Sequence, residues 1–224
     1  MSRLMLMLGM GTALLSTAEA GLDADTPLSA AAAAGDSDAL NTFLEAGLKP
    51  DAPDGDGLTP VIRAAREGHT DALAVLLRAG ADPNRPDAAG WTPLLHAVHR
   101  GQIETTRLLI ANGADVRRAG PDGLTPLLMA SGDGNAALVE WLVDAGADPR
   151  QDGPGGATPL SEAISGGAFS EIERPVFGVC HLQVVRALLE RDPSLRLPRN
   201  FSGHMARLVA RLSGSSDVLA MIGE

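Results

Sequence analysis

Gly90-Trp91-Thr92-Pro93-Leu94-Leu95-His96-Ala97 contains one of five Thr-Pro pairs, which begin at Thr26, Thr59, Thr92, Thr125 and Thr158, each 33 residues from the last. A fixed period of that length marks one structural unit repeated along the chain, so the architecture can be read before any single helix is assigned. The period says nothing of what the protein meets.

Each position of the unit has a physical task, as the copy beginning at Thr59 shows. The Thr59 hydroxyl can cap a helix, and Pro60 suits the first helical position, where an amide hydrogen would have no partner. Small Ala64 and Ala65 let two helices approach closely, and Gly68 supplies the left-handed residue that ends the first helix. Leu73, Leu76 and Leu77 form an apolar stripe at helical spacing, which predicts a second helix ended by Gly80. Ala81-Asp82-Pro83-Asn84 and Asp87 through Gly90 carry turn chemistry, so the chain folds out and back before the next Thr-Pro.

This unit resembles the ankyrin repeat, whose pattern is close to Gly-x-Thr-Pro-Leu-x-x-Ala, a Gly, an apolar second helix and Gly-Ala-Asp. Gly-Leu-Thr-Pro stands at 57–60 and 123–126, and Gly-Ala-Asp at 80–82, 113–115 and 146–148. The histidine usual after Thr-Pro-Leu is replaced by Leu95, Leu128 and Ser161, which leaves open the hydrogen-bond network it normally joins. The resemblance implies an all-α repeat fold, an ankyrin solenoid of helix-turn-helix units with β-hairpin fingers. Five repeats are expected near 24–56, 57–89, 90–122, 123–155 and 156–198, with a degenerate C-terminal cap over 199–224.

The fifth copy leaves the period. Its second helix resumes only at His181, so 168–180 reads as an insertion between the two helices, where a solenoid can accept extra chain. Phe169, Ile172, Val176, Phe177 and Val179 make it apolar for a loop, either a brace folded onto the last repeats or a lip for a partner. Asp192 stands where a closing glycine is expected, a left-handed position that costs a non-glycine residue about 1 kcal/mol.

Met1 to Ala20 has Arg3, an apolar run from Leu4 to Leu15 and a closing Ala18-Glu19-Ala20, the parts of a secretory signal peptide with cleavage after Ala20. The domain is then 21–224. A retained anchor is the alternative, although the run falls short of the roughly 20 apolar residues that span a bilayer. Periplasmic or secreted localisation follows. Cys180 is the one cysteine, so neither an internal disulfide nor a lipid attachment at the cleavage point is available. The net charge of −10 argues against nucleic acid and anionic membrane surfaces, and suggests a partner protein with a basic patch.

Catalytic chemistry finds little support. His96 and His99 are one turn apart and could begin a metal site, but no further His or Cys shares their helix, so a solvent-exposed pair is the plainer reading. Cys180 beside His181 has no third group to orient it. No phosphate loop, paired-cysteine spacing or haem motif is present, so no cofactor, no metal and no enzyme is expected. The resemblance implies partner contacts at hairpin tips and the inner helix face, which here are Asp56, Leu58, Arg66 and Glu67, then Ala89, Trp91, His99 and Arg100, then Asp122, Leu124, Gly132 and Asp133. Trp91 near Arg100 has the composition of a binding hot spot, while packing on Leu58 or Leu124 of a neighbouring finger would be its structural role. Trp141 aligns with Val75 and Leu108 and is expected in the core. The sequence thus predicts a monomeric protein-binding module or, alternatively, a dedicated inhibitor or stabiliser of an exported enzyme.

Overall fold

The computed structural model describes residues 26–166, 180–212, 214 and 216–223. The leader at 1–20 lies outside them, as does the insertion apart from Cys180, so its role as brace or lip does too. Among the described residues the elements are helices, with no strand: α1 Pro27–Ala34, α2 Ser37–Glu45, α3 Pro60–Glu67, α4 Thr70–Arg78, α5 Pro93–His99, α6 Ile103–Ala111, α7 Pro126–Gly132, α8 Ala136–Asp144, α9 Pro159–Ser165, α10 Leu182–Arg191, α11 Phe201–Leu212 and α12 Ser216–Met221.

All five periodic threonines cap as their sequence predicts. The hydroxyls of Thr26, Thr59, Thr92, Thr125 and Thr158 accept the backbone N–H of Ser29, Ile62, Leu95, Leu128 and Ser161, and a proline opens each helix. The histidine missing from the pattern is replaced in two ways. Leu95 and Leu128 are buried in the core, whereas Ser161 turns its hydroxyl back to accept from Thr158 N–H at 2.8 Å, completing a reciprocal cap.

The odd-numbered helices stack in one row, α1 on α3 through to α9 on α11, and α2 to α10 form a parallel row outside it. Leu40, Leu73, Leu76, Leu109, Leu138, Leu142 and Leu188 face inward from the outer row and are fully buried. One core runs without a break from Leu28 to Ile222. Each unit therefore buries its apolar stripe only against its neighbours, and the array holds together by stacking.

A second bond repeats with the same period. After each first helix the chain turns through a left-handed glycine, and the next N–H returns to the helix: His69 to Ala64, Gln102 to Ala97 and Asn135 to Ala130, at 2.9, 2.9 and 3.0 Å. The side chain of that same residue lies over the previous repeat's glycine. The His69 ring covers Gly35 and donates from Nε2 to Ala33 O at 2.9 Å, and the His181 ring covers Gly134 and donates to Gly132 O at 3.0 Å. These glycines are needed for their backbone angle and for their lack of a side chain.

Three expectations are corrected. The fingers are tight turns, each closed by a backbone bond from Asp54 to Leu58, Asp87 to Trp91, Gly120 to Leu124 and Gly153 to Ala157 and by the turn glycine's N–H returning to the first residue's carbonyl, too short for a strand ladder. Asp192 has φ −139°, so no left-handed cost arises; its carboxylate accepts from Ser194 N–H and Oγ–H instead. Trp141 is 42% exposed rather than core. The ring lies on the outer surface with the Arg107 guanidinium 4.2 Å from its centroid. The C-terminal cap agrees with its reading: α11 packs on α9 through the Ser161–Ser202 hydroxyl pair, and α12 closes over α10 and α11.

Candidate functional site

The second and third fingers are built on a buried aspartate five residues before the capping threonine. In the second, the Asp54 carboxylate accepts from Leu58 N–H and Asp56 N–H on one oxygen and from Arg63 Nε at 2.7 Å on the other. Arg63 reaches on to Asp56 at 2.7 Å, so this exposed candidate is tied into the finger. In the third, Asp87 accepts from Trp91 N–H at 2.8 Å and holds His96 Nε2 at 2.8 Å. A carboxylate can only accept, so that ring nitrogen carries the hydrogen. Burial lowers the His96 pKa below its usual value, against the hydrogen bond and charge of Asp87, which raise it.

Trp91 sits against these two histidines. Its ring lies 5.3 Å from His96, tilted, and 5.6 Å from His99, edge to face. It therefore packs on the inner helix of its own repeat and stays half-buried; His99 and Arg100 are exposed and Arg66 is half-exposed. The exposed-pair reading of His96 and His99 is corrected by this arrangement: His99 is exposed, while His96 is held by Asp87 beneath the indole. Among the described residues no cluster of three or more metal-ligating side chains occurs.

Leu58 and Leu124, expected at the partner surface, are nearly closed to solvent. They are 7% and 8% exposed, because the residue before the threonine points into the stack at the finger's base. Trp91 occupies the same position but is only half-buried, its ring lying on His96 and His99. Glu67, Ala89, Asp122 and Asp133 are exposed as expected, whereas Gly132 is buried.

Beyond the third repeat the bracket disappears. Gly120 and Gly153 replace the aspartates, Met129 and Glu162 replace Arg63 and His96, and Asp122 accepts from Leu124 N–H at 3.1 Å in compensation. Glu162 is 1% exposed, and neither carboxylate oxygen has a hydrogen-bond partner among the described residues. Burial, with the nearby negative charge of Asp133, pushes its pKa to about 7. Sequence reasoning missed both features, although a signal existed: Asp54 and Asp87 are 33 apart, as are Arg63 and His96.

A family model described as ankyrin repeats in three copies matches residues 9–87, 28–119 and 96–199. No curated protein matches the chain.

Proposed function

We propose that this chain, which belongs to the ankyrin-repeat family, binds a partner protein through its finger tips and inner helix face and makes no covalent change to it. Ankyrin repeats are in general protein-interaction modules and typically non-catalytic scaffolds. The observation that carries the reading is the setting of Trp91. An aromatic side chain is half-exposed at a finger whose backbone Asp87 holds, its ring packed on two histidine rings, with Arg66 close enough to His96 to act on its charge and Arg100 next to His99 in the chain. A pre-ordered Trp with neighbouring Arg loses little freedom on binding, and such residues dominate interface energetics.

The place of action in this reading is the periplasm or the extracellular space, supported by the leader-like Met1–Ala20. Among the described residues no helix is long and apolar enough to cross a membrane. The test is capture from native extract by the expressed protein, run beside Trp91→Ala with Arg100→Ala. A protein held by the first and lost from the second supports the reading. Equal capture by both removes Trp91 and Arg100 as anchors.

A further inference from the structure

Cations in the inner-face row are confined to two repeats. Counting four, seven and eight residues after the capping threonine, repeat one places Ala30, Ala33 and Ala34, repeat two Arg63, Arg66 and Glu67, and repeat three His96, His99 and Arg100. Repeats four and five place Met129, Gly132, Asp133, Glu162, Ser165 and Gly166 at the same positions. Trp91 lies within the cationic stretch, its ring on His96 and His99.

The acids of that stretch are taken up by its own fingers. Asp54 and Asp56 hold Arg63, and Asp87 holds His96 and the Trp91 N–H. Glu67 follows Arg66 directly, and consecutive residues on a helix do not face each other. Arg66 and Arg100 remain. Neither makes an ion pair or a side-chain hydrogen bond among the described residues, and the helices packed on α3 and α5, namely α1, α4, α6 and α7, are all described. Arg66 acts on the charge of the His96 ring, on which the indole rests, and Arg100 adjoins His99, which meets the indole edge to face.

We propose that this spot binds an acidic segment of a partner protein, a Glu or Asp side chain meeting Arg66 and Arg100 while an apolar neighbour lies on Trp91. This rests on the reading of the face as a protein-binding surface and adds the chemistry of what it binds. A guanidinium presents a fork of N–H donors that a carboxylate fills two at a time. The indole and imidazole rings beside it exclude water once covered, and a charge pair strengthens as its surroundings dry. A partner cation stacked on the indole would instead meet like charge and leave both forks unfilled. The net charge of −10 favours a basic partner only at long range, since at physiological salt charges farther apart than about 8 Å are screened. The groups that touch the anchor decide what it accepts.

The two tryptophans make the site readable. Trp91 and Trp141 are the only indoles of the chain, and Trp141 lies on the outer surface against Arg107, so it serves as the control. The expressed protein is titrated with three acetylated, amidated peptides, Leu-Glu-Glu-Leu, Leu-Gln-Gln-Leu and Leu-Lys-Lys-Leu, and both indole N–H signals are followed by NMR. The Glu peptide should move the Trp91 signal at concentrations about tenfold lower than either other peptide and leave Trp141 in place. Added salt should weaken that preference in the wild type, and Arg66→Gln with Arg100→Gln should remove it while leaving urea unfolding unchanged. Equal response to the Glu and Gln peptides, a stronger response to the Lys peptide, no response of Trp91 to any of them, or a preference that survives in the double variant overturns the proposal. If that happens while Trp91→Ala with Arg100→Ala still loses its captured protein, the binding reading stands and the acidic partner falls.

Discussion

His181 donates its backbone N–H to the Ala163 carbonyl at 2.8 Å, although the insertion at 168–180 separates them in the chain. The same bond joins His69 to Ala64, Gln102 to Ala97 and Asn135 to Ala130 where no insertion intervenes. The two helices of the fifth repeat thus meet as they would in an uninterrupted unit. Because the closure is made by residues outside the insertion, extra chain can enter without disturbing the stack.

Deletion of 168–180 should therefore leave a folded, cooperative protein. Joining Gly167 to His181 restores the Gly68-His69 spacing, and shortening a loop of this size changes closure entropy by only about 1 kcal/mol. Helical circular dichroism and one cooperative urea transition are the expected results. Loss of the last repeats' signal would show that the insertion braces them.

The glycines under the following repeat should differ from those in the open. A Cβ on Gly134 would lie 2.3 Å from the His181 ring, which is held by its bond to Gly132 O, whereas one on Gly80 would meet nothing. Both have positive φ. Gly80→Ala should cost about 1–2 kcal/mol from the left-handed backbone alone, and Gly134→Ala more by about 1–3 kcal/mol for the displaced ring and its hydrogen bond. Equal costs in chemical denaturation would show that the ring yields freely.

Glu162 should make stability fall as pH rises. Its folded pKa of about 7 lies above the ordinary glutamate value of 4.5, so the folded state holds the proton more tightly. The protonated form is neutral in its burial site, and the stability it brings is lost as pH climbs between those values. Two to three pKa units correspond to an upper figure of about 4 kcal/mol. Glu162→Gln should be the more stable protein at pH 8, with the difference vanishing near pH 4. His96 acts in the opposite sense, since its lowered pKa brings stability that is present above its unfolded value and lost on acidification. The informative quantity is thus the difference between wild type and Glu162→Gln, where the His96 contribution cancels.

Removal of Asp87 should loosen the third finger. Its carboxylate serves both Trp91 N–H and His96 Nε2, and bonds to a charged acceptor contribute about 1.5–3 kcal/mol. Asp87→Ala should cost about 2 kcal/mol and increase quenching of tryptophan fluorescence by added iodide. Unchanged quenching would mean that the histidine rings alone fix the indole.

Trp141 and its neighbour should separate in stability. Leu142 is fully buried, so Leu142→Ala should cost about 2–5 kcal/mol. Trp141 is exposed under Arg107, and Trp141→Ala should cost about 1 kcal/mol or less. A large loss at Trp141 would return it to the core.

The five-fold Thr-Pro period was enough to read the solenoid, its caps, its left-handed glycines and the place of the insertion. Those features depend on local backbone chemistry and on each unit repeating the one before it, and both can be seen in a linear string. Asp54 and Asp87 were also visible, at the same spacing, but their task was not. A carboxylate five residues before a threonine becomes a finger's centre only when the turn brings it to Arg63 or His96.

Burial was decided by the tertiary structure alone. Leu58, Trp91 and Leu124 share one position in the repeat, yet the two leucines are buried while the Trp91 ring lies half-exposed on His96 and His99. Trp141 aligned with Val75 and Leu108 and emerged outside, under the Arg107 guanidinium. Glu162 looked like any helical glutamate in the sequence. What buried it was the packing of α7, α10 and α11 around α9, which leaves its carboxylate without a hydrogen-bond partner among the described residues. Period is a property of the chain taken one residue after another, whereas solvent exclusion depends on side chains that are distant in sequence and meet only when the repeats have stacked.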